Sequence, residues 1–176
     1  KHFKKLYRKL CPGPITFILK KKKNTKIHSS ASAGLNTVGV RFPKHKIARS
    51  ILKEIKFPLA MPSANKSTNV SPVSSKDVYE EFKKKIKLIL DGGKCKIGIE
   101  STVIDLVNNP KIWRPGISGK RKIEKILKLK INYNNKHKKH RSPGMMKKHD
   151  SPGTPVLINQ NIYEGKSAFI YLGSKY

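Results

Sequence analysis

The chain has 176 residues, 36% of them hydrophobic, which is long enough for one domain with a core of its own. Its 40 Lys and Arg against 10 Asp and Glu give a formal net charge of +30, and few aromatic residues interrupt the lysine runs, which argues against a base-stacking platform. No apolar stretch approaches the ~20 residues of a membrane span, and Cys11 and Cys95 lack metal-ligand spacing, so we expect neither a membrane segment nor a structural zinc site.

The first part of the chain is predicted to form two strands and a helix. Residues 14–19 are a short apolar run bounded by Pro and Gly, which is typical of a buried strand. Residues 35–43 alternate between a core face and a polar face, with Val38, Val40 and Phe42 on the first and Thr37, Gly39 and Arg41 on the second. After Pro43, helical spacing predicts a helix with a face made of Ile47, Ala48, Ile51, Leu52 and Ile55.

The second part is predicted to alternate strands with helices, as in a layered α/β domain. A short apolar run at 59–61 precedes a polar loop, and the pattern at 74–77 predicts the capped start of a helix that ends at 91–93. The apolar face of that helix would carry Val78, Phe82, Ile86 and Ile89. A strand is expected over 97–107, in which one face carries Ile99, Ser101, Val103 and Asp105. A short strand at Ile112–Trp113 and a helix over about 120–130 would follow.

The character of the sequence changes after this last helix. Breakers, histidines and lysines without periodicity predict a linker over 131–155. The strand-like run at 167–174 indicates the start of a small C-terminal α/β domain over 156–176, after a first domain over 1–130.

Four polar clusters lie in or just beyond the predicted strands, where open α/β sheets collect ligands. They are Thr37 with Arg41, Ser63-Ala64-Asn65 with Ser71, Glu100-Ser101-Thr102, and Arg114-Pro115-Gly116. Each also has a plainer interpretation: a surface charge, a turn, a strand hydroxyl and a salt bridge, respectively. Hydroxyl, amide and guanidinium groups without an evident nucleophile favour the binding and positioning of a phosphate or carboxylate substrate.

Five stretches in order resemble successive motifs of the YrdC-like threonylcarbamoyl-AMP synthases: CPGPITFIL, LNTVGVRFP, AMPSANKSTNVSP, LDGGKCKIGIESTVIDL and WRPG. The resemblance runs from about Leu6 to Ile126, and SPGMMKKHDSP is similar to the linker of the long form of the family, which has a C-terminal domain. The resemblance implies an α/β fold with a twisted mixed sheet and flanking helices. It also implies that the domain is truncated at the N-terminus, because the family's Lys/Arg motif for the ATP phosphates would precede Lys1.

The resemblance further implies a nucleotidyltransferase that converts L-threonine, bicarbonate and ATP into threonylcarbamoyl-AMP and pyrophosphate, with Mg²⁺ on the phosphates. The product would pass to a tRNA-modifying transferase complex in the cytoplasm, and binding of double-stranded RNA is a further expectation. Such chemistry requires alignment and charge neutralisation rather than a protein nucleophile. The residues that match ATP contacts of the family are Thr37, Ser63, Asn65, Ser71, Arg114, Lys148 and His149. Those that match threonine contacts are Arg41, Met61 and Ser101.

Without the N-terminal phosphate-binding motif, this chain by itself is expected to have little activity, because each missing charge-assisted hydrogen bond is worth ~1.5–3 kcal/mol. Several origins stay open for such a chain: a fragment of a complete enzyme, the product of a decaying gene, or half of a split enzyme. A basic RNA-binding protein that has lost catalysis is a further alternative.

Overall fold

The chain folds around one mixed β-sheet, as described by a computed structural model of residues 1–67 and 69–133. In chain order the elements are α1 (His2–Leu10), β1 (Ile15–Lys20), β2 (Thr37–Arg41), α2 (Lys46–Glu54), α3 (Ser75–Phe82), β3 (Thr102–Asp105), β4 (Lys111–Arg114), α4 (Lys120–Leu127) and β5 (Asn132–Tyr133). Short 3₁₀ turns occur at Ser29–Ser32 and Lys83–Lys85. None of the helices described is long and apolar enough to cross a membrane.

The five strands lie in the order β2-β1-β3-β4-β5. Strand β1 pairs antiparallel with β2 and parallel with β3, so it lies inside the sheet. The pair β3–β4 is antiparallel and β4–β5 is parallel. The register between β3 and β4 shifts between Val103 and Ile104, as at a β-bulge, which bends the sheet locally and redirects side chains at the end of β4.

Helices α1 and α4 cover one face of the sheet. Their apolar positions pack against the side chains of β1, β3 and β4 that point to the same side, and together they form the main core: Leu6, Leu10, Ile15, Phe17, Ile104, Ile112, Ile123, Leu127 and Ile131. Phe42 packs against the edge of this core, and Val38 and Val40 pair with Leu19 and Phe17 on the same face. The core face predicted for β2 from alternation is therefore confirmed.

The opposite face of the sheet carries a smaller apolar cluster and a group of polar residues. The cluster consists of Ile18, Val103 and Trp113, with Val107 packed beside it. Thr16, Gly39 and Arg41 point to this side because they alternate with the core residues of their strands. The polar residues predicted as ligand contacts are thus on the side of the sheet that α1 and α4 leave uncovered.

The segment between β2 and β3 is much more exposed than the rest of the described chain. Helices α2 and α3 contain no buried residue. Helix α3 begins with the predicted cap: the Ser74 hydroxyl accepts a hydrogen bond from the Asp77 N–H, and the Asp77 carboxylate accepts from the Ser74 N–H. Within this segment, the Cys95 N–H donates a hydrogen bond to the Val73 carbonyl oxygen at 2.7 Å.

Three sequence predictions of element extent are wrong. Helix α3 ends at Phe82, because Lys83 adopts a φ of 47° and starts a 3₁₀ turn of three lysines, so Ile86 and Ile89 lie outside the helix. Strand β3 starts at Thr102 and not at 97, and Ile99 is exposed. The apolar run 59–61 was expected to be a strand, because the polar cluster that starts at Ser63 was placed just beyond one, and it is not a strand.

Two elements were not predicted at all. Helix α1 lies in a lysine-rich stretch whose few apolar positions are hard to see in isolation, and β5 is two residues long. Most of the linker predicted over 131–155 and the whole C-terminal segment 156–176 lie outside the described residues, and so do Lys148 and His149.

Candidate functional site

Ser101 is the centre of the polar group on the uncovered face. It directly precedes β3 and is 4% exposed. Its hydroxyl lies 3.0 Å from the Thr16 hydroxyl and accepts a hydrogen bond from Arg114 Nη2 at 3.1 Å. Its carbonyl oxygen accepts from Arg114 Nε at 3.1 Å and from Nη2 at 3.0 Å. A hydroxyl held from two sides in this way has a defined orientation before any ligand arrives.

Arg114 is held at the end of β4 by the turn that follows it. This turn passes so close to the start of β3 that a Cβ on Gly116 would lie 2.5 Å from the Glu100 carbonyl oxygen and 2.5 Å from the Thr102 nitrogen. Glycine therefore allows the approach that brings the guanidinium onto Ser101. Arg114 Nη2 also pairs with Glu100 Oε2 at 3.1 Å, and its side chain is 16% exposed.

Glu100 connects this group to the polar loop at 60–72. Its second carboxylate oxygen, Oε1, accepts a hydrogen bond from the Ser71 hydroxyl at 3.0 Å. A continuous hydrogen-bonded chain thus runs from Ser71 through Glu100 and Arg114 to Ser101 and Thr16. It joins segments that are far apart in the sequence.

The other end of the polar loop is folded on itself and tied to α3. Asn65 Nδ2 donates to the Lys66 carbonyl oxygen at 3.1 Å and to the Asn69 carbonyl oxygen at 2.7 Å. Glu81 of α3 accepts from the Lys66 N–H and from Asn69 Nδ2, both at 2.8 Å. Asn65 therefore shapes the loop, which agrees with the turn interpretation.

Arg41 lies beside this group on the same face of the sheet. Its Cα pairs with that of Thr16 across the β1–β2 ladder, so the two side chains point to the same side. Thr37 points the same way but pairs with Lys20 at the other end of β2, about 14 Å along the strand from Arg41 at ~3.4 Å per residue. The structure therefore brings Arg41, but not Thr37, next to Ser101.

Met61 and Ser63 lie in exposed loop positions. Met61 is 71% exposed, so it presents its side chain to solvent rather than to the polar group around Ser101. Of the residues predicted as ligand contacts, the structure thus joins Ser71, Ser101 and Arg114 by hydrogen bonds and places Arg41 alongside. The other predicted contacts within the described residues stand apart from this group: Thr37, Met61, Ser63 and Asn65.

Sequence reasoning missed Thr16 as a member of the site. The available signal was a single hydroxyl within the apolar run ITFILK, at a position that alternates with the buried Ile15 and Phe17. Glu100 belonged to a predicted polar cluster but was not predicted as a ligand contact. A carboxylate beside an arginine becomes visible only when the β3–β4 pairing is known.

The site offers two guanidiniums and several hydroxyl groups, together with the Glu100 carboxylate that pairs with Arg114. Within the described residues there is no group of three or more His, Cys, Asp or Glu able to hold a metal ion. The arrangement can recognise anions through the guanidiniums of Arg41 and Arg114 and orient them with hydroxyls. It has the properties of a binding and positioning site.

Comparisons with known proteins identify the family to which the chain is similar. Residues 1–116 match the family Sua5_yciO_yrdC, described as telomere recombination. Among curated proteins, the chain is 38% identical over 158 residues to the threonylcarbamoyl-AMP synthase of Pyrococcus abyssi, a match that covers 87% of this chain and 46% of that protein. The synthase of Bacillus subtilis is 35% identical over 159 residues, covering 88% of this chain and 46% of that protein.

Solved structures show the same likeness. The crystal structure of Pyrococcus abyssi Sua5 complexed with L-threonine superposes with a TM-score of 0.78 at 38% identity, covering 85% of this chain and 45% of that one. The mixed sheet with flanking helices is therefore the predicted fold. This chain spans less than half the length of the relatives it matches.

Proposed function

The chain belongs to the Sua5/YciO/YrdC family, and on that basis we propose that it forms threonylcarbamoyl-AMP and pyrophosphate from L-threonine, bicarbonate and ATP. The observation that carries the proposal is the hydrogen-bonded group from Ser71 to Ser101 and Thr16, with Arg41 beside it. The group offers two guanidiniums and several hydroxyls on one open face, which suits a substrate with a carboxylate and phosphates. The names of the relatives support this synthase and give no support to a non-catalytic RNA-binding protein.

Within this proposal, Arg41 binds the threonine carboxylate, and Ser101 and the backbone at Met61 contact the rest of the amino acid. Ser71 and Arg114 bind ATP, with Ser63, Thr37, Asn65, Lys148 and His149 as further nucleotide contacts. Arg41 and Thr37 lie about 14 Å apart along β2, which leaves room for both substrates on one face, and the contact between Arg114 and Ser101 is where the two would meet.

The proposed chemistry needs no covalent enzyme intermediate. The threonine nitrogen and bicarbonate first give a carbamate with loss of water. A carbamate oxygen then attacks the α-phosphorus of ATP. The bond between the α-phosphorus and the oxygen bridging to the β-phosphorus breaks, and pyrophosphate leaves. This is a nucleotidyl transfer in which the protein aligns the reactants and offsets negative charge. We propose that Mg²⁺ enters with ATP, because it binds phosphate oxygens readily and keeps several of its waters.

The test is the formation of pyrophosphate and threonylcarbamoyl-AMP, measured by coupled assay and mass spectrometry, with each substrate omitted in turn. This chain by itself is expected to form little product, and Arg41→Ala and Ser101→Ala are expected to lower that amount at least about 10-fold, the effect of one charge-assisted hydrogen bond. Arg49→Ala is the control for Arg41→Ala, because Arg49 is an exposed arginine of α2. Product formation that does not require threonine, or variants as active as the wild type, would contradict the proposal.

We also propose that the product is used by a tRNA-modifying transferase in the cytoplasm. Free thiols at Cys11 and Cys95 are what a reducing compartment would favour. Co-purification of the native protein with a tRNA-modifying enzyme would support this proposal. The proposal would be contradicted if deletion of the gene left the level of threonylcarbamoyladenosine in tRNA unchanged.

RNA binding is proposed as an additional property, and the helix layer is the surface that favours it. Residues 1–10 carry five basic and no acidic residues, and residues 120–130 carry six basic and one acidic residue, counting Lys and Arg as basic. Helices α1 and α4 share the main core, so these charges form one basic surface on the side of the sheet opposite the candidate site.

Salt dependence tests this surface. We expect weaker binding of duplex RNA when Lys4, Lys5 and Arg8 are replaced by Ala. The plot of the logarithm of the binding constant against the logarithm of salt concentration should also become less steep, by about one for each phosphate that the variant no longer neutralises. The same change at the lysines of the 3₁₀ turn Lys83–Lys85 is the control, because acidic Glu80 and Glu81 lie just before it. Equal weakening in the two variants would mean that the attraction is spread over the whole chain.

A further inference from the structure

Two carboxylates hold the loop that contains Ser71, and one of them also contacts an arginine of the candidate site. Glu81 accepts hydrogen bonds from the Lys66 N–H and from Asn69 at one end of the loop. Glu100 accepts from Ser71 at the other end and pairs with Arg114. Of the two, Glu100 alone joins two residues that the proposed function places on ATP.

We propose that Glu100 is a positioning residue for the nucleotide, which holds Ser71 and Arg114 at a fixed separation. This inference rests on the proposed function, since it concerns the same site. Glu100 would not touch ATP itself, because its negative charge would repel the phosphates. Its two oxygens face protein groups instead: Oε1 accepts from the Ser71 hydroxyl at 3.0 Å, and Oε2 pairs with Arg114 Nη2 at 3.1 Å.

The geometry explains why a glutamate suits this position. Glu100 lies directly before Ser101, so its backbone is fixed by the same contacts that hold the start of β3, and its side chain is 31% exposed. A carboxylate with two acceptor oxygens can take one hydrogen bond from the loop and one from β4. The loop thereby becomes attached to the sheet, although α3 buries no residue of its own.

The effect of Glu100 can be separated into hydrogen bonding and charge. In Glu100→Gln the amide oxygen still accepts from Arg114, and the amide nitrogen donates to the Ser71 oxygen, so the link persists without the negative charge. In Glu100→Ala the link is broken. If Glu100 acts by position, the Gln variant keeps the function and the Ala variant does not.

The experiment measures ATP affinity of the full chain by calorimetry, with Mg²⁺ present. We expect Glu100→Ala to bind ATP about 10-fold more weakly and Glu100→Gln to stay within about 3-fold of the wild type, since one hydrogen bond to a charged group sets this scale. Glu80→Ala removes the same charge from an exposed position of α3 and is expected to leave affinity unchanged. In a Ser71→Ala background, Glu100→Ala should weaken binding less than in the wild type, because one of the two residues it positions is already missing.

Three results would overturn the inference: an Ala variant that binds like the wild type, a Gln variant as weak as the Ala variant, or tighter binding in both. The first means that Glu100 has no effect, and the other two mean that its charge matters rather than its position. An effect that is fully additive with Ser71→Ala also counts against it.

Hydrogen exchange without nucleotide separates this inference from the proposed function. Amides of residues 69–71 and of Val73 should exchange faster in Glu100→Ala than in the wild type, and at the wild-type rate in Glu100→Gln. If the wild-type chain binds no ATP, the proposed function fails for this chain, whereas the exchange comparison still decides whether Glu100 holds Ser71. Unchanged exchange in the Ala variant would show that it does not.

Discussion

A methyl group at Gly116 would collide with the backbone that carries Ser101. The added Cβ would lie 2.5 Å from the Glu100 carbonyl oxygen, 2.5 Å from the Thr102 nitrogen and 2.7 Å from the Ser101 carbonyl carbon. Favourable contacts between heavy atoms begin near ~3.5 Å, so the turn after β4 and the start of β3 must separate by about 1 Å. All three atoms belong to the backbone, so no change of side-chain rotamer relieves the contact.

The expected cost of Gly116→Ala follows from this separation. Overpacking of this kind costs about 1–3 kcal/mol. The hydrogen bonds from Arg114 to the Ser101 carbonyl oxygen, at 3.1 and 3.0 Å, would also lengthen, and each contributes about 1 kcal/mol. We therefore expect the free energy of unfolding to fall by about 2–4 kcal/mol. Binding of ATP and threonine should also weaken, because Ser101 and Arg114 move apart.

Urea unfolding followed by the fluorescence of Trp113, the single tryptophan, measures this cost. Gly98→Ala is the matched control, since a Cβ there meets no heavy atom within 4 Å and should change stability by no more than about 0.5 kcal/mol. If Gly116→Ala is as stable as the control, the close approach of the two segments does not exist in solution, and the description of the site is wrong.

Two further predictions concern the cap of α3 and the core. Hydrogen bonds from the Val73 N–H and from Ser74 lower the pKa of Asp77, so the folded state favours its charged form. This stabilisation is present above about pH 4, near the pKa of an unfolded Asp, and it disappears as the pH falls through the lower folded-state pKa. Asp77→Asn should therefore be less stable than the wild type at neutral pH, and the difference should shrink as the solution is acidified. Urea midpoints of the two proteins across this pH range measure the difference, and midpoints that change in parallel would contradict the prediction. Phe17→Ala should cost about 3–5 kcal/mol in free energy of unfolding because Phe17 is fully buried, whereas Phe57→Ala, at a residue 61% exposed, should cost less than about 1 kcal/mol. Equal costs in thermal or urea unfolding would mean that the two phenylalanines share the same environment.

The strands and faces of the sheet were predictable because side-chain alternation is a local property. The alternation in 35–43 separated Arg41 from the core residues of β2, and the pairing of Arg41 with Thr16 confirms the separation. The cap of α3 was predictable for the same reason, since Ser74 and Asp77 satisfy each other within one turn.

Element ends were predicted poorly where the local pattern continues but the structure does not. The apolar spacing runs through Ile86, yet the helix ends before it, at the lysine with positive φ. Likewise, the β-rich run starts at 97, but strand pairing starts at Thr102, whose N–H donates to the Pro14 carbonyl oxygen. The Ser101 carbonyl oxygen is used by Arg114 instead.

Residue types and local patterns were enough to predict the composition of the site: hydroxyls, amides and two arginines next to apolar strands, in motifs that resemble one family. Those properties depend on residue type and short-range periodicity. Which of these residues come into contact depends on the three-dimensional fold. Ser71, Glu100 and Arg114 are joined because strand pairing and the turn at Gly116 bring distant segments within hydrogen-bonding distance, whereas Thr37 is kept apart from Arg41 by the length of the strand that carries both.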